Sequence, residues 1–431
     1  MWFVYEILLF MGFLLYLPRA VWRGRLPHRG WTMRLGRYPD SVKQRLAGGG
    51  AVWIHAVSVG ETIAVKPLVR AINAAHPRIP LVLSTVTPAG FAVASTLVGE
   101  QGVAVFAPLD FRASVSRALA TIRPRLLVLV ESELWPNLIR LAGRAGTPVV
   151  VVNGRVSERA FRRSLKVRRW LAGTLEAVHR FLMQTELDAE RITRMGAPAS
   201  RVSVVGSLKW DASIASRPRA EDLQALAGRL GLDEAHPVIV AGSTHRGEEG
   251  HVLAAFEHLR ASRTPARLIL APRHLERIAE VEALAKRRGI AAQRSSAIRS
   301  PDQPWEMAIV DTLGQLPAYY GLAAAVFVGG SMIPHGGQNP IEPAVLGKPV
   351  VFGPSMENFT EIVQQLLAHQ ACYQLRGPAE LTRTLQGLLA SPEEARVMGA
   401  RAQALVERLS GTTQKTLQAL EGLLTFPSPS T

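Results

Sequence analysis

Residues 329–359, GGSMIPHGGQNPIEPAVLGKPVVFGPSMENF, decide the fold class because they lead from one apolar strand through a glycine-rich turn and a helix to another. They follow the apolar run at residues 323–328, which is typical of a buried strand of a parallel sheet. Two glycine pairs allow tight turns, and Pro340 suits the first turn of a helix. The run from Lys348 to Pro354 then returns the chain to a strand. The stretch predicts one strand–helix–strand unit of an α/β domain.

The same stretch carries polar groups that suit a nucleotide and a sugar. A glycine-rich loop that opens a helix offers unpaired N–H groups and the positive end of the helix dipole, and both favour a phosphate. Glu342 lies at the start of that helix. Its carboxylate would repel a phosphate, but it could accept hydrogen bonds from ribose or sugar hydroxyls. The stretch has the outline of a nucleotide-sugar site, and the alternative is an ordinary strand–helix–strand turn with an exposed glutamate.

The composition favours two domains and an anionic partner. The chain has 431 residues, of which 48% are hydrophobic, so it can form two sizeable cores. It has 50 lysines and arginines against 34 aspartates and glutamates, which gives a formal net charge of +16. Such a balance favours nucleic acid, an anionic membrane or a phosphorylated substrate. The single cysteine, Cys372, excludes an internal disulfide and a cysteine-based zinc site, and it fits a reducing compartment.

The first residues favour a membrane among these partners. Residues 1–17, MWFVYEILLFMGFLLYL, are apolar apart from Glu6 and Gly12, and a signal peptide would need a basic start and a small-residue cleavage site. The arginines that follow, before the next acidic residue Asp40, are Arg19, Arg23, Arg25, Arg29, Arg34 and Arg37. A basic flank of this kind stays in the cytoplasm. We predict that residues 1–22 are an N-terminal membrane anchor and that the rest is cytoplasmic; the alternative is a buried core helix.

From residue 51 onward, short apolar runs alternate with helical patterns, which predicts parallel sheets with helices on both faces. The predicted strands of the first series are Ala51–His55, Leu81–Thr85, Val103–Ala107, Leu126–Glu131, Val149–Asn153, Phe181–Gln184 and Val202–Val205. A charged segment at residues 206–237 interrupts the pattern. The second series is Val238–Gly242, Leu268–Ala271, Met307–Asp311, Ala325–Gly329 and Pro349–Phe352.

We therefore predict two doubly wound, Rossmann-like domains, at residues 23–212 and 213–431, whose strand ends line one cleft. The second domain should end in helices and a polar tail, which we expect to be disordered.

Charged side chains follow two strands of the first domain, where ligands of such sheets bind. Glu61 lies in the first turn of a helix and could act as a general base in ionised form, which the helix dipole should favour; the alternative is that it only complements that dipole. Glu131 and Glu133 follow the fourth strand. Lys209 lies in the connection between domains, where a cation could reach a leaving phosphate, although a solvated lysine is the alternative.

Groups that could bind a nucleotide follow the strands of the second domain. The Arg273 guanidinium forms a fork that fits a phosphate, and residues 312–314 could present backbone groups to a base or phosphate. His245 and His274 lack a second histidine at metal-binding spacing, so we predict no metal site. No phosphate-loop or dinucleotide-binding glycine motif follows the first strand, which argues against an ATPase or a dehydrogenase.

Six motifs along the chain resemble those of the Kdo transferases, which transfer 3-deoxy-D-manno-octulosonic acid (Kdo) to a lipid A precursor in Gram-negative bacteria. The resemblance covers nearly the whole chain in order, including the apolar N-terminus, and a generic nucleotide-sugar transferase would share only the last motif. The motifs are HAVSVGE at residues 55–61, ESELWPN at 131–137, GSLK at 206–209, STH at 243–245, PRH at 272–274 and GGQNPIEP at 336–343.

The resemblance implies a glycosyltransferase B fold and an inverting, metal-independent transfer from CMP-Kdo to a lipid A precursor, lipid IVA. No further cofactor is expected. The implied location is the cytoplasmic face of the inner membrane, with its anionic lipids as partners. The resemblance implies Glu61 as the base, with Glu131 and Lys209 assisting the transition state. The implied CMP-binding residues are Pro272, Arg273, Leu313, Gly314, Gln315, Asn339, Pro340, Ile341 and Glu342.

Three residues depart from the family pattern. Ser132 stands where threonine is commoner, which is a conservative change. Gln315 stands where glutamate is usual, and Gln338 where histidine is usual. Because both glutamines lie in the implied donor site, their side-chain contacts should differ from those of the family, whereas backbone contacts would be kept.

Two other functions compete with this interpretation. A transferase that uses a UDP-sugar would share the fold and Glu342, but not the motifs at residues 131–133 and 243–245. Competition by CMP against UDP for the donor site would separate the two. A basic membrane-tethered nucleic-acid-binding protein would need clustered cations with interleaved aromatic residues, whereas aromatic residues make up only 6% of this chain, and it shows no such recognition motif.

Overall fold

The computed structural model describes residues 2–22, 30–99, 102–233 and 235–425. The chain divides into two compact units, residues 1–212 with 410–431 and residues 213–409. Each unit is built on a parallel sheet with helices around it, which confirms the predicted α/β class. Three arginines of the predicted basic flank, Arg23, Arg25 and Arg29, lie outside the described residues, and so does the predicted polar tail after residue 425.

The sheet of the first unit contains β1 (Ala51–His55), β2 (Leu81–Thr85), β3 (Gly102–Phe106), β4 (Pro124–Val130), β5 (Val149–Gly154), β6 (Arg180–Met183) and β7 (Val202–Val204). Its strand order is β3-β2-β1-β4-β5-β6-β7, and these neighbours pair in parallel. In β1, Val52 and Ile54 enter one core and Trp53 enters the other, as the two-residue repeat of a strand requires. Burial on both faces explains why β1 is apolar from Ala51 to Ile54.

Helices that surround this sheet are α1 (Trp2–Trp22), α2 (Trp31–Arg34), α3 (Asp40–Arg45), α4 (Val59–Ala64), α5 (Lys66–Ala75), α6 (Pro88–Val98), α7 (Arg112–Ile122), α8 (Pro136–Arg144), α9 (Glu158–Leu165), α10 (Arg168–Leu175), α11 (Glu186–Met195) and α12 (Leu208–Ile214). A 3-10 turn lies at Ala199–Arg201. Hydroxyl side chains fix several helix starts: Thr87, Ser157 and Thr185 accept hydrogen bonds from N–H groups of the first turns of α6, α9 and α11.

The sheet of the second unit contains β8 (Val238–Thr244), β9 (Arg267–Pro272), β10 (Ala292–Arg294), β11 (Met307–Ile309), β12 (Ala325–Val328), β13 (Val350–Phe352) and β14 (Cys372–Gln374). Its order is β10-β11-β9-β8-β12-β13-β14, again with parallel neighbours. The two edge strands, β10 and β14, were not predicted from the sequence.

The second unit surrounds its sheet with α13 (Ala220–Arg229), α14 (Glu249–Ala261), α15 (Ile278–Arg287), α16 (Leu316–Gly321), α17 (Ile341–Ala344), α18 (Thr360–Ala368), α19 (Ala379–Ala390) and α20 (Pro392–Leu409). Short 3-10 turns lie at Leu275–Arg277, Ser295–Ala297 and Glu357–Phe359. The unit places the quoted stretch as the loop after β12, then α17 and then β13.

The last helix, α21 (Thr412–Leu424), belongs to the first unit and packs against α5 and β4. Leu417, Leu420 and Leu424 enter the same core as Val52. The Asp211 carboxylate accepts a hydrogen bond from the Gly411 N–H at 2.7 Å, which fixes the start of the helix. The assignment of residues 410–431 to the second domain was therefore wrong, because the apolar face of α21 is buried in the first core.

Helix α1 covers the segment predicted to be a membrane anchor, and its polar side chains bind the first unit. The Tyr5 hydroxyl donates a hydrogen bond to Asp110 at 2.8 Å. Glu6 accepts hydrogen bonds from the Arg112 N–H at 2.9 Å and from the Asn137 amide at 2.6 Å. Within the described residues, we find no helix whose length and apolar character would let it cross a membrane.

Candidate active site

The carboxyl ends of β4 and β5 hold a mostly buried ion pair between Glu131 and Lys209. The Lys209 Nζ lies 3.1 Å from Glu131 Oε1, and the two side chains are only 18% and 16% exposed. Asn153, at the end of β5, donates a hydrogen bond to the same oxygen of Glu131 at 3.3 Å. Its own Oδ1 accepts from the Leu208 N–H at 2.9 Å, which holds the start of α12 beside the strand end. Sequence spacing alone places neither Lys209 nor Asn153 beside Glu131.

Glu131 occupies an unusual backbone conformation for a residue with a side chain. Its φ is +57°, in the left-handed region, directly after the last residue of β4. Its N–H donates to the Val152 carbonyl oxygen at 3.0 Å, so the conformation is fixed by the neighbouring strand. Non-glycine residues in this region carry roughly 1–3 kcal/mol of strain and cluster at functional sites.

Glu61 lies in the first turn of α4 and is bound to its own helix start. The Ser58 hydroxyl donates to Glu61 Oε1 at 2.8 Å, and the Val57 N–H donates to Glu61 Oε2 at 2.8 Å. Burial raises the pKa of Glu61 to about 7; repulsion from Glu131 and Glu133 also raises it, although the two hydrogen bonds act in the opposite direction. The helix dipole was expected to favour the ionised form of this carboxyl, but burial outweighs the dipole of a helix of six residues, so the pKa lies above its usual value.

Glu133 also belongs to this cluster, since its charge helps to raise the pKa of Glu61. The Trp135 indole N–H donates to Glu133 Oε2 at 2.7 Å, and burial raises the pKa of Glu133. The first unit therefore brings together three carboxylates and one paired lysine at the carboxyl edge of its sheet.

In the second unit, the buried carboxylate of Glu248 organises the glycine-rich loop after β12. Its Oε2 accepts hydrogen bonds from the N–H groups of His245 at 2.9 Å and Gly330 at 2.7 Å. Its Oε1 accepts from the N–H groups of Ser331 at 2.9 Å and Met332 at 2.8 Å. These N–H groups were expected to be open to a phosphate, and that expectation was wrong for this part of the loop because Glu248 occupies them.

Glycines allow the rest of this loop to fold over its neighbours. Gly330 and Gly337 have φ values of +67° and +77°, which side chains rarely tolerate. A Cβ atom on Gly337 would lie 2.2 Å from the Met356 sulfur. The loop therefore needs glycine at these positions for its shape.

Arg273 and Glu342, the two main candidates for donor binding, lie close enough to interact. Burial raises the pKa of Glu342, while a hydrogen bond from Asn339 at 3.3 Å and the charge of Arg273 act against that rise. The Asn339 amide also donates to the Ser213 hydroxyl at 3.2 Å. Arg273 is exposed, and its N–H donates to the Thr244 carbonyl oxygen at 2.9 Å. An exposed cation beside a partly buried carboxylate can bind two chemically different parts of one ligand.

The remaining predicted positions take up the ends of neighbouring elements. Pro272 ends β9, Pro340 is the residue before α17, and the Ile341 N–H donates to the Asn339 side chain at 3.1 Å. Leu313 is 79% exposed, and Gly314 has a φ of +78° just before α16.

The two glutamines that depart from the family pattern both have partners. The Gln338 amide lies 3.1 Å from His245 Nε2, and Gln315 accepts a hydrogen bond from Thr312 at 2.8 Å. Burial, followed by the charges of His335, His274 and neighbouring arginines, lowers the pKa of His245 to about 4. Across the described residues, no cluster of three or more His, Cys, Asp or Glu side chains could hold a metal ion.

Sequence reasoning missed Glu248, Asn153 and His335. A signal for Glu248 was available, since Glu248 and Glu249 are two carboxylates shortly after an apolar strand, as Glu131 and Glu133 are. Glu248 and Glu249 are both buried, at 0% and 1% exposure.

Comparison with known proteins identifies the family. The family model for 3-deoxy-D-manno-octulosonic-acid transferases (kdotransferases) matches residues 29–212. The 3-deoxy-D-manno-octulosonic acid transferase of Bordetella pertussis is 37% identical over 405 residues, which cover 91% of each chain. That of Haemophilus influenzae is 30% identical over 376 residues, which cover 86% of this chain and 87% of its own.

A solved structure supports the fold alone. UDP-GlcNAc 2-epimerase from Neisseria meningitidis, bound to UDP-GlcNAc, is 14% identical and covers 86% of this chain and 100% of its own, with a TM-score of 0.60. That likeness extends over both α/β units. The two relatives, together with the family match over the first unit, show that the chain is a glycosyltransferase that belongs to the 3-deoxy-D-manno-octulosonic acid transferase family.

Proposed function

We propose that the protein transfers Kdo from CMP-Kdo to a lipid A precursor, lipid IVA, in lipopolysaccharide biosynthesis. The transfer inverts the configuration at the anomeric carbon and uses no metal ion or other cofactor. The observation that carries this proposal is the cluster at the first sheet edge, where the Glu131–Lys209 pair lies 3.1 Å apart and Glu61 has a pKa raised to about 7. A base with a pKa near the working pH combines a useful ionised fraction with good proton affinity.

In the proposed reaction, Glu61 takes the proton of the acceptor hydroxyl. The acceptor oxygen forms a bond to the anomeric carbon of Kdo as the bond from that carbon to the CMP phosphate oxygen breaks. The electron pair of the broken bond leaves with CMP, which departs as a phosphate monoester. The transition state is oxocarbenium-like, as in glycoside cleavage. A positioned base typically contributes about 10²–10⁴-fold to such a step.

Glu131 and Lys209 assist this transition state in different ways. The Lys209 cation stabilises negative charge on the departing phosphate, and Glu131 stabilises positive charge at the anomeric carbon. Their mutual pairing lets both charges persist where only 18% and 16% of the side chains are exposed, since an unpaired charge there would be costly. Asn153 supports the pair through its hydrogen bond to Glu131.

The second unit binds the donor in this proposal. Arg273 binds the phosphate as a planar fork, and Glu342 accepts hydrogen bonds from the ribose hydroxyls. Asn339 orients Glu342 through its hydrogen bond at 3.3 Å. The other proposed contacts to CMP come from strand and helix ends, at Pro272, Leu313, Gly314, Gln315, Pro340 and Ile341.

We further propose that the protein works at the cytoplasmic face of the inner membrane and that α1 contacts its anionic lipids. The support is an exposed apolar face on α1, where Leu8 and Leu15 are 62% and 80% exposed. Changing both to asparagine keeps Tyr5 and Glu6 in place, so it should release the protein from membrane fractions without unfolding it. Leu187→Asn, at a 53% exposed position of α11, is the control. Unchanged membrane partition of the double variant would contradict this part of the proposal.

The decisive experiment incubates the full chain with CMP-Kdo and lipid IVA and reads the product by mass spectrometry. The expected product is the acceptor with added Kdo, which Glu61→Gln should form far more slowly. CMP should inhibit the reaction by competing with CMP-Kdo for the donor site, and UDP should not. A wild-type protein that forms no Kdo product, or one that UDP inhibits better than CMP, would refute the proposed donor.

A further inference from the structure

A cavity of about 190 Å³ lies in the first unit, beside the Glu131 carboxylate. Its inner wall is apolar and comes from β5, β6, α10 and α11, through Val151, Leu171, Phe181, Met183, Ile192 and Met195. Each of these side chains is buried. The exposed Ser132 and the partly exposed Glu131 and Arg155 also line it, so the cavity opens at the proposed catalytic cluster.

The size and lining of this cavity suit a hydrocarbon. An apolar cavity of about 150 Å³ stays dry and binds benzene, so by that scale this one holds a chain of roughly seven carbons. Two methionines in its wall, Met183 and Met195, can adjust to an irregular chain. The polar groups at its opening would contact the polar head group of a bound amphiphile.

We propose that this cavity binds an alkyl segment of the acceptor lipid and thereby holds the reacting hydroxyl at the catalytic cluster. The inference rests on the proposed function, which it deepens by assigning a place for the acyl chain. Glu131 belongs both to the ion pair with Lys209 and to the opening of the cavity. A lipid whose chain enters here therefore has its head group beside the residues that carry the reaction.

Helix α9 supplies a way to test the cavity without touching those residues. Ala160 and Ser164 lie one helical turn apart, both line the cavity, and both are partly exposed. Leucine at either position would fill the cavity from its outer side. Matched controls are Ala92→Leu and Ser95→Leu on α6, where both side chains are exposed and neither lines the cavity.

The experiment compares two acceptors with CMP-Kdo, a phosphorylated glucosamine disaccharide with long acyl chains and its acetylated analogue. The wild type should prefer the long-chain acceptor. Ala160→Leu and Ser164→Leu should lose at least about tenfold in kcat/KM for that acceptor only, since each excluded methylene is worth about fourfold. The α6 controls should keep the wild-type preference. A cavity that is merely a packing gap predicts no change in preference on filling, and that result would overturn the inference.

A binding measurement separates this inference from the proposed function. N-octanoylglucosamine should bind the wild type in calorimetry and should bind Ala160→Leu much more weakly, whether or not Kdo is transferred. If the wild type transferred no Kdo to either acceptor, the proposed reaction would be refuted. The calorimetric measurement would still show whether the cavity binds an alkyl chain. Equal binding to both proteins, or no binding to the wild type, would refute the alkyl site.

Discussion

Glu248→Gln should destabilise the loop of the donor site far more than its single-atom change suggests. The Glu248 carboxylate accepts hydrogen bonds from four backbone N–H groups, two on each oxygen, at 2.7–2.9 Å. A glutamine keeps one acceptor oxygen and turns an NH₂ group toward the other two N–H groups. Two buried donors then lose their acceptor, at about 1–3 kcal/mol each, so the expected loss is about 2–6 kcal/mol.

Hydrogen exchange of the full-length protein measures this loss where it occurs. The amides of Gly330, Ser331 and Met332 should exchange at least roughly 30-fold faster in the variant, which corresponds to the lower end of the expected loss. CMP affinity should fall as well, because the same loop leads to Asn339 and Glu342. The matched control is Glu257→Gln, on the same helix as Glu249.

The control separates a buried acceptor from an ordinary ion pair. Glu257 pairs with Arg288 at 2.8 Å, but the two side chains are 35% and 32% exposed, so its loss should cost less than about 1 kcal/mol. If Glu248→Gln leaves exchange of the loop amides within a few-fold of wild type, the carboxylate does not hold the loop, and the reasoning from its hydrogen bonds fails.

The other predictions concern the catalytic cluster and the donor site. Wild-type kcat/KM should rise with pH through about 7, because the base must be ionised and burial raises the pKa of Glu61 to about 7. Glu133→Gln should shift this rise to lower pH, because it removes a negative charge that raises the pKa of Glu61. A pH profile that does not move would show that Glu133 does not repel Glu61. Glu61→Gln should lower kcat by about 10²–10⁴-fold with CMP binding kept, and near-normal turnover would exclude Glu61 as the base. Lys209→Met should lower kcat and also destabilise the protein by about 3–5 kcal/mol in chemical denaturation, since the mostly buried Glu131 carboxylate loses its ion-pair partner. An unchanged unfolding midpoint would show that water compensates for the lost pair. Arg273→Ala and Glu342→Ala should each weaken CMP binding in calorimetry, with greater salt dependence for the Arg273 contribution, and unchanged affinity in both would rule out the proposed donor site.

Burial on both faces explains how much of the fold the sequence predicts. β1 and β2 have the predicted bounds, because every residue of both strands is buried and each strand begins with a continuous apolar run, which ends in a histidine in β1 and in Ser-Thr in β2. The edge strands β10 and β14 escaped prediction for the opposite reason. They have three residues each, Ala-Gln-Arg and Cys-Tyr-Gln, and most of these side chains are partly or fully exposed. An edge strand needs no apolar repeat, so the sequence pattern cannot distinguish it from a loop.

The site shows the same limit for charged residues. Glu131 stands out because it directly follows an apolar strand, and Glu61 because it lies in the first turn of the helix after one, where ligands of a parallel sheet bind. The role of Glu248 depends on Gly330, Ser331 and Met332, which lie more than 80 positions later in the chain. Local sequence shows Glu61 and Glu248 alike, each as a glutamate at the start of a helix that follows a strand. Only the partner brought by the fold decides whether that carboxylate is an acceptor for backbone N–H groups or a base.

The pKa of Glu61 shows why local reasoning underestimates the proton affinity of this carboxyl. The helix dipole favours the ionised carboxylate by about 0.3–1 kcal/mol, and this is all that the sequence around residues 58–64 reveals. A rise in pKa from 4.5 to about 7 corresponds to roughly 3 kcal/mol in the opposite direction, before screening by solvent. Burial supplies most of this rise, and Glu131 and Glu133 add to it from a strand end 70 residues away in the chain. Because one of these charges is Glu131, which is also proposed to assist the transition state, the proton affinity of the proposed base depends on the ion pair, and the two act as one coupled cluster.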